Sequence, residues 1–286
     1  MDDDQAEAAG QFRARKGLAV RVVALAAVLC LVMVLPHLPG RFDASAAALS
    51  FVVQVGSYAS LLLVPIGVAW MASRRRWKLW HALAEVTTGF VAFTGVVAAV
   101  SANQLALGVL LAVCAVVLLG NEYRRSRNGP EPVGPRRNLA PLWLVFVPLV
   151  LVAFRTAVLP GAADWSRDRA IRHGAALISE IESFRQRTGR YPLSLQSLNQ
   201  DVPTGVVGIE RFHYEPSGEA FNLFFVRPHV ELDASEVVLF NPRDDHRFTS
   251  HDLDILQYDS EQLDLRRGDR RRTRLSHPHW ISILFD

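Results

Sequence analysis

The chain has 286 residues, half of them hydrophobic, a formal net charge of +3 and two cysteines. Long charge-poor runs before residue 160 exclude a wholly soluble protein, and shorter patterned runs after it exclude a purely membrane-embedded one. Cys30 and Cys114 both fall in the apolar part, which excludes a disulfide framework for the remainder.

Residues 1–17 form a polar N-terminal segment carrying Arg13, Arg15 and Lys16. Five apolar runs follow, Leu18–Pro36, Ala46–Ala72, Trp80–Ser101, Leu105–Gly120 and Leu139–Leu159. A bilayer core is crossed by about 20 apolar residues, so each run predicts a transmembrane helix. The first could be mistaken for a signal peptide, because a basic flank precedes it and "ASA" follows; it reads better as a retained signal-anchor.

Basic residues set the expected orientation. "RRRWK" (Arg74 to Lys78) follows the second run, and Arg124, Arg125, Arg127, Arg136 and Arg137 follow the fourth. The first loop offers only Arg41, and the third, "SANQ", offers no charge. Because basic loops stay in the cytoplasm, the N-terminus is expected inside and the C-terminal part, after five crossings, outside. Lysine is nearly absent, with only Lys16 and Lys78, while alanine is abundant. That usage points to a bacterial source, and therefore to an inner (cytoplasmic) membrane with residues 161–286 in the periplasm. The loop "NEYRRSRNGPEPVGPRRN" reads as a solvated topology determinant before it reads as a patch for anionic lipid head groups.

Pro160-Gly161 is expected to end the fifth helix. Asp164 or Ser166 then caps a helix running to about Thr188, with Ile171, Gly174, Ala175, Ile178, Ile181 and Phe184 on its apolar stripe. The stretch "GRYPLSLQSL" predicts a corner. Gly189 ends the helix in a left-handed cap, Tyr191 is forced extended by Pro192, and Ser194 starts a short helix to Leu198. "IERFHYE" and "AFNLFFVR" flank the turn "PSGE" as a hairpin, and "EVVLF" and "WISILF" are two further strands. Residues 241–279 are polar and carry no clear pattern.

The residues "LISEIESFRQRTGRYPLSLQSL" followed by "FHYEPSGEAFNLFFV" resemble the periplasmic part of type II secretion pseudopilins and related pilin-like proteins. The resemblance covers about residues 165–227. It implies an α+β tail in which a long amphipathic helix packs on a small antiparallel sheet, and an envelope or secretion protein as partner. It also implies a calcium site beside the sheet, for which Asp244, Asp245, Asp252 and Asp254 would supply oxygen ligands. The chain departs from that family in its four extra apolar runs and in Pro160-Gly161, which would interrupt a helix that runs on in pilins. A subunit anchored five times would not be extracted into a filament.

Glu85 is the only acid within a predicted span, and an intramembrane carboxylate is a functional candidate by default. It lies about one turn from Arg76, Lys78 and His81, any of which could pair with it at the interface. Arg155 and Arg21 are expected to snorkel from the ends of their spans. "HPHW" would put His277 and His279 on one side of a strand, near "DDH" and "HDLD", as a weak metal constellation. No HExxH, GxSxG, SxxK or Gly-rich phosphate loop occurs in the tail, so no catalytic residue is expected. The tail has 16 Arg against 20 acids, so "RRGDRRRTR" reads as a solvated run and nucleic acid is not an expected partner. The expectation is a multi-pass membrane protein whose tail binds or scaffolds an envelope partner without catalysis. A small transporter or sensor using Glu85, His81 and Gln54 is the alternative, and an unrecognised membrane-bound enzyme comes third.

Overall fold

A computed structural model describes residues 19–20, 22–73, 77–101, 104–110, 112–114, 140–198, 202–217, 219–228, 235–246 and 269–285. The chain divides into two compact units. One comprises Met1–Val34 and Ala48–Leu159, the other Leu35–Ala47 and Pro160–Asp286.

The first unit is helical. Helix α1 covers 22–34, α2 Ala44–Ala72, α3 Trp77–Ser101, α4 Leu105–Cys114 and α5 Ala140–Ala157. Among the described residues three helical segments are long and apolar enough to cross a membrane, Ala44–Ala72, Lys78–Ser101 and Pro141–Thr188, while α1 and α4 are shorter. Within α2, Ser60–Leu62 tightens to 3₁₀ geometry. Pro65 explains this, since it lacks the N–H that would bond the Leu61 carbonyl. The C-terminal turns of α2 pack on both α3 and α5.

The second unit is a helix on a sheet. Helix α6, Leu159–Thr188, lies against a five-stranded antiparallel sheet of order β1-β2-β3-β5-β4. The strands are β1 His213–Ser217, β2 Ala220–Pro228, β3 Ser235–Phe240, β4 Asp269–Arg274 and β5 Trp280–Phe285. Ala170, Ile171, Leu177 and Ile181 of α6 meet Phe221, Leu223, Phe225, Val238, Phe240 and Trp280 of the sheet. Its other face carries Phe224, Val237, Leu239, Ile281 and Ile283, also buried. Burial on both faces is why these strands read as continuous apolar runs instead of alternating ones.

Four expectations are corrected. Pro160-Gly161 does not separate two helices, because both residues sit in the first turn of α6, where a missing N–H costs nothing. Only Val158 lies between α5 and α6, and its N–H still bonds the Phe154 carbonyl at 2.9 Å. Asp164 and Ser166 are accordingly inside α6 and cap nothing; Asp164 pairs with Arg167 at 3.0 Å, and the Ser166 hydroxyl donates to the Ala163 carbonyl at 2.8 Å. On the apolar stripe Ala175 is exposed, and Ala170 and Leu177 are buried instead. "RRGDRRRTR" is not simply a solvated run, since its second half is β4, paired with β5. An edge strand studded with arginine blocks edge-to-edge pairing with another chain, which accounts for its composition.

At the corner α6 ends at Gly189. Gly189 has φ +75°, and its N–H bonds the Arg185 carbonyl at 2.8 Å. A 3₁₀ turn covers Leu195–Leu198, with the Ser197 N–H bonding the Ser194 carbonyl at 3.2 Å.

The first loop belongs to the tail. Residues 37–45 are expected as a loop between two spans, and the structure builds Leu35–Ala47 into the helix–sheet unit. Its backbone bonds the 205–208 segment four times. Gly40 N–H bonds Gly205 O at 3.1 Å, Val207 N–H bonds Leu38 O at 3.0 Å, Asp43 N–H bonds Val207 O at 3.0 Å, and Gly208 N–H bonds Pro36 O at 2.7 Å. A Cβ on Gly208 would lie 2.8 Å from the Pro36 carbonyl oxygen, so only glycine permits this approach. The loop then ends on Asp43, whose Oδ1 accepts the Ser45 and Ala46 N–H groups and caps α2.

Candidate functional site

The strand parity that buries Phe221, Leu223 and Phe225 against α6 also turns Arg227 inward, and the parity of Val238 and Phe240 does the same for Glu236. The two residues face each other across β2 and β3. Arg227 Nε donates to Glu236 Oε2 at 2.7 Å, and Arg227 Nη2 reaches the same oxygen. Arg227 Nη1 donates to the Ala163 carbonyl of α6 at 2.6 Å, and Ser282 Oγ of β5 donates to Glu236 Oε1 at 2.5 Å. Every charged atom in this node is therefore satisfied, as burial requires. Burial pushes the Glu236 carboxyl up, but the charge of Arg227, together with hydrogen bonds from Ser282 and Arg227, holds it below the usual value.

Around the node lies a cavity of about 150 Å³, bounded by Asp164 and Arg167 of α6, Arg271 and Thr273 of β4, and Leu284 of β5. Arg167 is mostly buried and bonds Asp164 through Nη1. Its Nε is buried and has no hydrogen-bond acceptor, the Asp168 Oδ1 lying 3.8 Å away. Asp168 in turn faces His277 Nε2 at 3.4 Å.

His37, from the first loop, sits beside this node. Its Nδ1 is 3.2 Å from Ser166 Oγ, and the residue is 8% exposed. Desolvation, then the charge of Arg227, lowers its pKa from 6.5 to about 4. The folded protein thus binds this proton less readily than the unfolded chain, and stability falls as pH drops from 6.5 toward 4. The shift corresponds to about 3 kcal/mol across that window. Thermal unfolding of the purified protein is expected to show this loss between pH 7 and 4. His37→Gln should flatten that part of the profile, and an unchanged slope in the variant would assign the loss to other groups.

The other sequence candidates fall into separate places. Asp244 has φ +57°, and its Oδ1 faces His279 Nδ1 at 3.1 Å. The Asp245 N–H bonds Asn241 Oδ1 at 3.3 Å, and Asp252 and Asp254 lie outside the described residues. Among the described residues no group of three metal-ligating side chains gathers. His277 and His279 are not on a strand; they form the β4–β5 turn, with His279 at φ +66°. Proline between them and the turn geometry end the alternation that would have aligned them.

In the first unit, Glu85 and Gln54 have different partners. Glu85 Oε1 lies 3.1 Å from His81 Nδ1, one turn earlier on α3. Gln54 Nε2 donates to Ser50 Oγ at 3.2 Å, and Ser50 Oγ donates to the Met33 carbonyl at 2.9 Å. Arg155 turns into the helical unit. It is 4% exposed, with Nε 3.4 Å from Gln54 Oε1 and its guanidinium 4.2 Å above the Tyr58 ring. A polar partner and an aromatic face inside the helical unit hold its guanidinium.

Neither Arg227 nor Glu236 emerges from motif reasoning, and the signal for them is a parity one. Each is a charge at the end of an apolar strand, on the inward side. Comparison with protein families, with curated proteins and with solved structures finds no match for this chain.

Proposed function

We propose that the protein is a multi-pass inner-membrane protein of bacterial type that presents its helix-on-sheet unit to an envelope partner, as a binding or scaffolding module without catalysis. The observation that carries this reading is the incorporation of Leu35–Ala47 into the C-terminal unit. The chain passes between the two units three times, after Val34, Ala47 and Leu159. A module sewn to its anchor in this way suits fixed presentation better than extraction into a filament. The pilin-like reading of the tail draws support from the helix–sheet layering and from the near-continuity of α5 and α6.

The same observation bears on topology. Residues that fold into one unit are read as sharing one side of a bilayer, which favours an even number of crossings between residue 47 and residue 160. The three long segments alone would give an odd number. A fourth crossing starting at α4 restores the parity, and α1 then makes five. With the basic loops inside, this puts the N-terminus in the cytoplasm and the C-terminal unit in the periplasm.

Reporter fusions after Arg41 and after Asp286 are expected to be active only outside the cytoplasm, and one after Arg127 only inside. A cytoplasmic signal at Asp286 would overturn the topology. For function, photocrosslinkers at Leu193, 75% exposed on the corner, and at Arg211 should give a discrete adduct with another envelope protein in intact membranes. The absence of any adduct, together with solute or proton flux through reconstituted vesicles that Glu85→Gln abolishes, would overturn the scaffold reading in favour of transport.

A further inference from the structure

We propose that the cavity beside the Arg227–Glu236 node is a carboxylate-binding site, the point at which an acid group of a partner or of a free organic acid is held. This deepens the binding reading above. The first argument is charge. Three guanidiniums, Arg167, Arg227 and Arg271, line the cavity with two carboxylates, Asp164 and Glu236. Arg227 is consumed by Glu236, and Arg167 Nη1 by Asp164. Asp168 also lies 3.8 Å from Arg167 Nε, whereas among the described residues Arg271 pairs with no carboxylate, which makes its guanidinium the cation open to an entering anion. A monoanion can pair with Arg271, whereas a phosphate dianion would meet stronger repulsion from Asp164, Asp168 and Glu236.

Unmet hydrogen bonding supplies the second argument. Arg167 Nε is buried and has no acceptor, an arrangement that costs free energy unless a ligand provides one. Thr273 adds a hydroxyl on the same wall, from the strand position opposite Ser282. An arginine fork with an adjacent hydroxyl matches the two oxygens of a carboxylate.

Size is the third. The cavity measures about 150 Å³ and is partly open to solvent. That admits a carboxylate with a short carbon stem, the remainder of the ligand extending to solvent. Leu275 and Leu284 give the stem an apolar wall.

The test is calorimetric titration of the full-length protein in detergent with acetate, with triglycine, and with triglycine amide, at constant ionic strength. Saturable binding of acetate or triglycine is expected, and Arg271→Gln should weaken it at least tenfold. Arg271 lies on an exposed edge strand, so the variant should retain the fold, checked by circular dichroism; Arg167→Gln is the second variant. Tighter binding of triglycine than of acetate, with no binding of the amide, assigns the site to a polypeptide carboxylate. Acetate binding at least as tight as triglycine assigns it to a free acid. No saturable binding by either, or binding unchanged in a folded Arg271→Gln protein, overturns the proposal. The two readings fail separately. Crosslinked adducts without carboxylate binding remove the site and leave the scaffold, and carboxylate binding without adducts does the reverse.

Discussion

Glu236→Gln is expected to destabilise the C-terminal unit by about 3–5 kcal/mol, which is the usual cost of leaving one partner of a buried ion pair alone. Arg227 is 5% exposed, and its guanidinium cannot shed its proton to escape the penalty. The substitution also converts Oε2, which receives two donors of Arg227, into an amide of weaker acceptor strength or of the wrong polarity. Removing both charges is a different matter. Arg227→Met with Glu236→Leu replaces the pair by apolar groups of similar size, and such replacements are often neutral or stabilising. The double variant should therefore recover most of the loss. Resistance of the solubilised protein's C-terminal unit to limited proteolysis, followed against temperature, measures both. A single variant within about 1 kcal/mol of the parent would mean that water reaches Arg227, and the node would cease to be a buried one.

The node also separates two acid transitions. Glu236 is held below the ordinary carboxylate value, so the stability it contributes is complete above that value and is lost as pH falls through its folded one. His37 acts earlier, between 6.5 and about 4. Because His37 comes from the first loop and Glu236 from β3, mild acid should weaken the docking of the loop before it weakens the sheet. Hydrogen exchange of the Gly208 amide, bonded to Pro36 O, against that of the β3 amides resolves the order.

How much of this was legible depends on how local each signal is. The end of α6 at Gly189 was legible, because a left-handed glycine cap is decided by its own backbone. Three long apolar helices were legible because length and composition alone define them, and the two-sided burial of β2, β3 and β5 left strands that still read as strands. β4 was not legible. Its hydrogen bonds come from β5, and an edge strand of Asp269-Arg-Arg-Arg-Thr-Arg274 carries no apolar alternation to announce it. The division into two units misled at Leu35–Ala47, since docking a loop against a segment some 170 residues later is a long-range event that "LPHLPGRFDASAA" does not encode locally. Glu236 and Arg227 are the intermediate case. Counting by twos from Phe221 and from Phe240 reaches them, but only once the pairing of β2 with β3 is known does the count bring opposite charges together.

Phe221→Ala is expected to cost about 3–5 kcal/mol, in the upper part of that range. The ring is completely buried, with Tyr191 5.1 Å away edge-on, Tyr214 at 5.7 Å and Phe240 at 5.7 Å. What decides the cost is whether these neighbours can move into the space, and two of them are tethered. The Tyr191 hydroxyl accepts from Arg185 Nη1 at 2.7 Å and donates to Glu182 Oε1 at 3.0 Å, while the Tyr214 hydroxyl donates to the Pro192 carbonyl at 2.8 Å. Burial, then the nearby Tyr191 and Glu182, pushes the Tyr214 phenol up to about 12, so it keeps its donor throughout the ordinary pH range. Rings pinned at their far ends cannot collapse without breaking those bonds, and the cavity stays open. Tyr191→Phe on its own removes bonds to charged partners and should cost about 1.5–3 kcal/mol. In the double variant the ring at position 191, no longer tethered by a hydroxyl, can settle toward position 221, so the combined loss should be smaller than the sum. Strict additivity, measured by the same proteolysis assay, would show that the corner and the sheet are not coupled through this ring and that the hydroxyl tethers do not resist collapse.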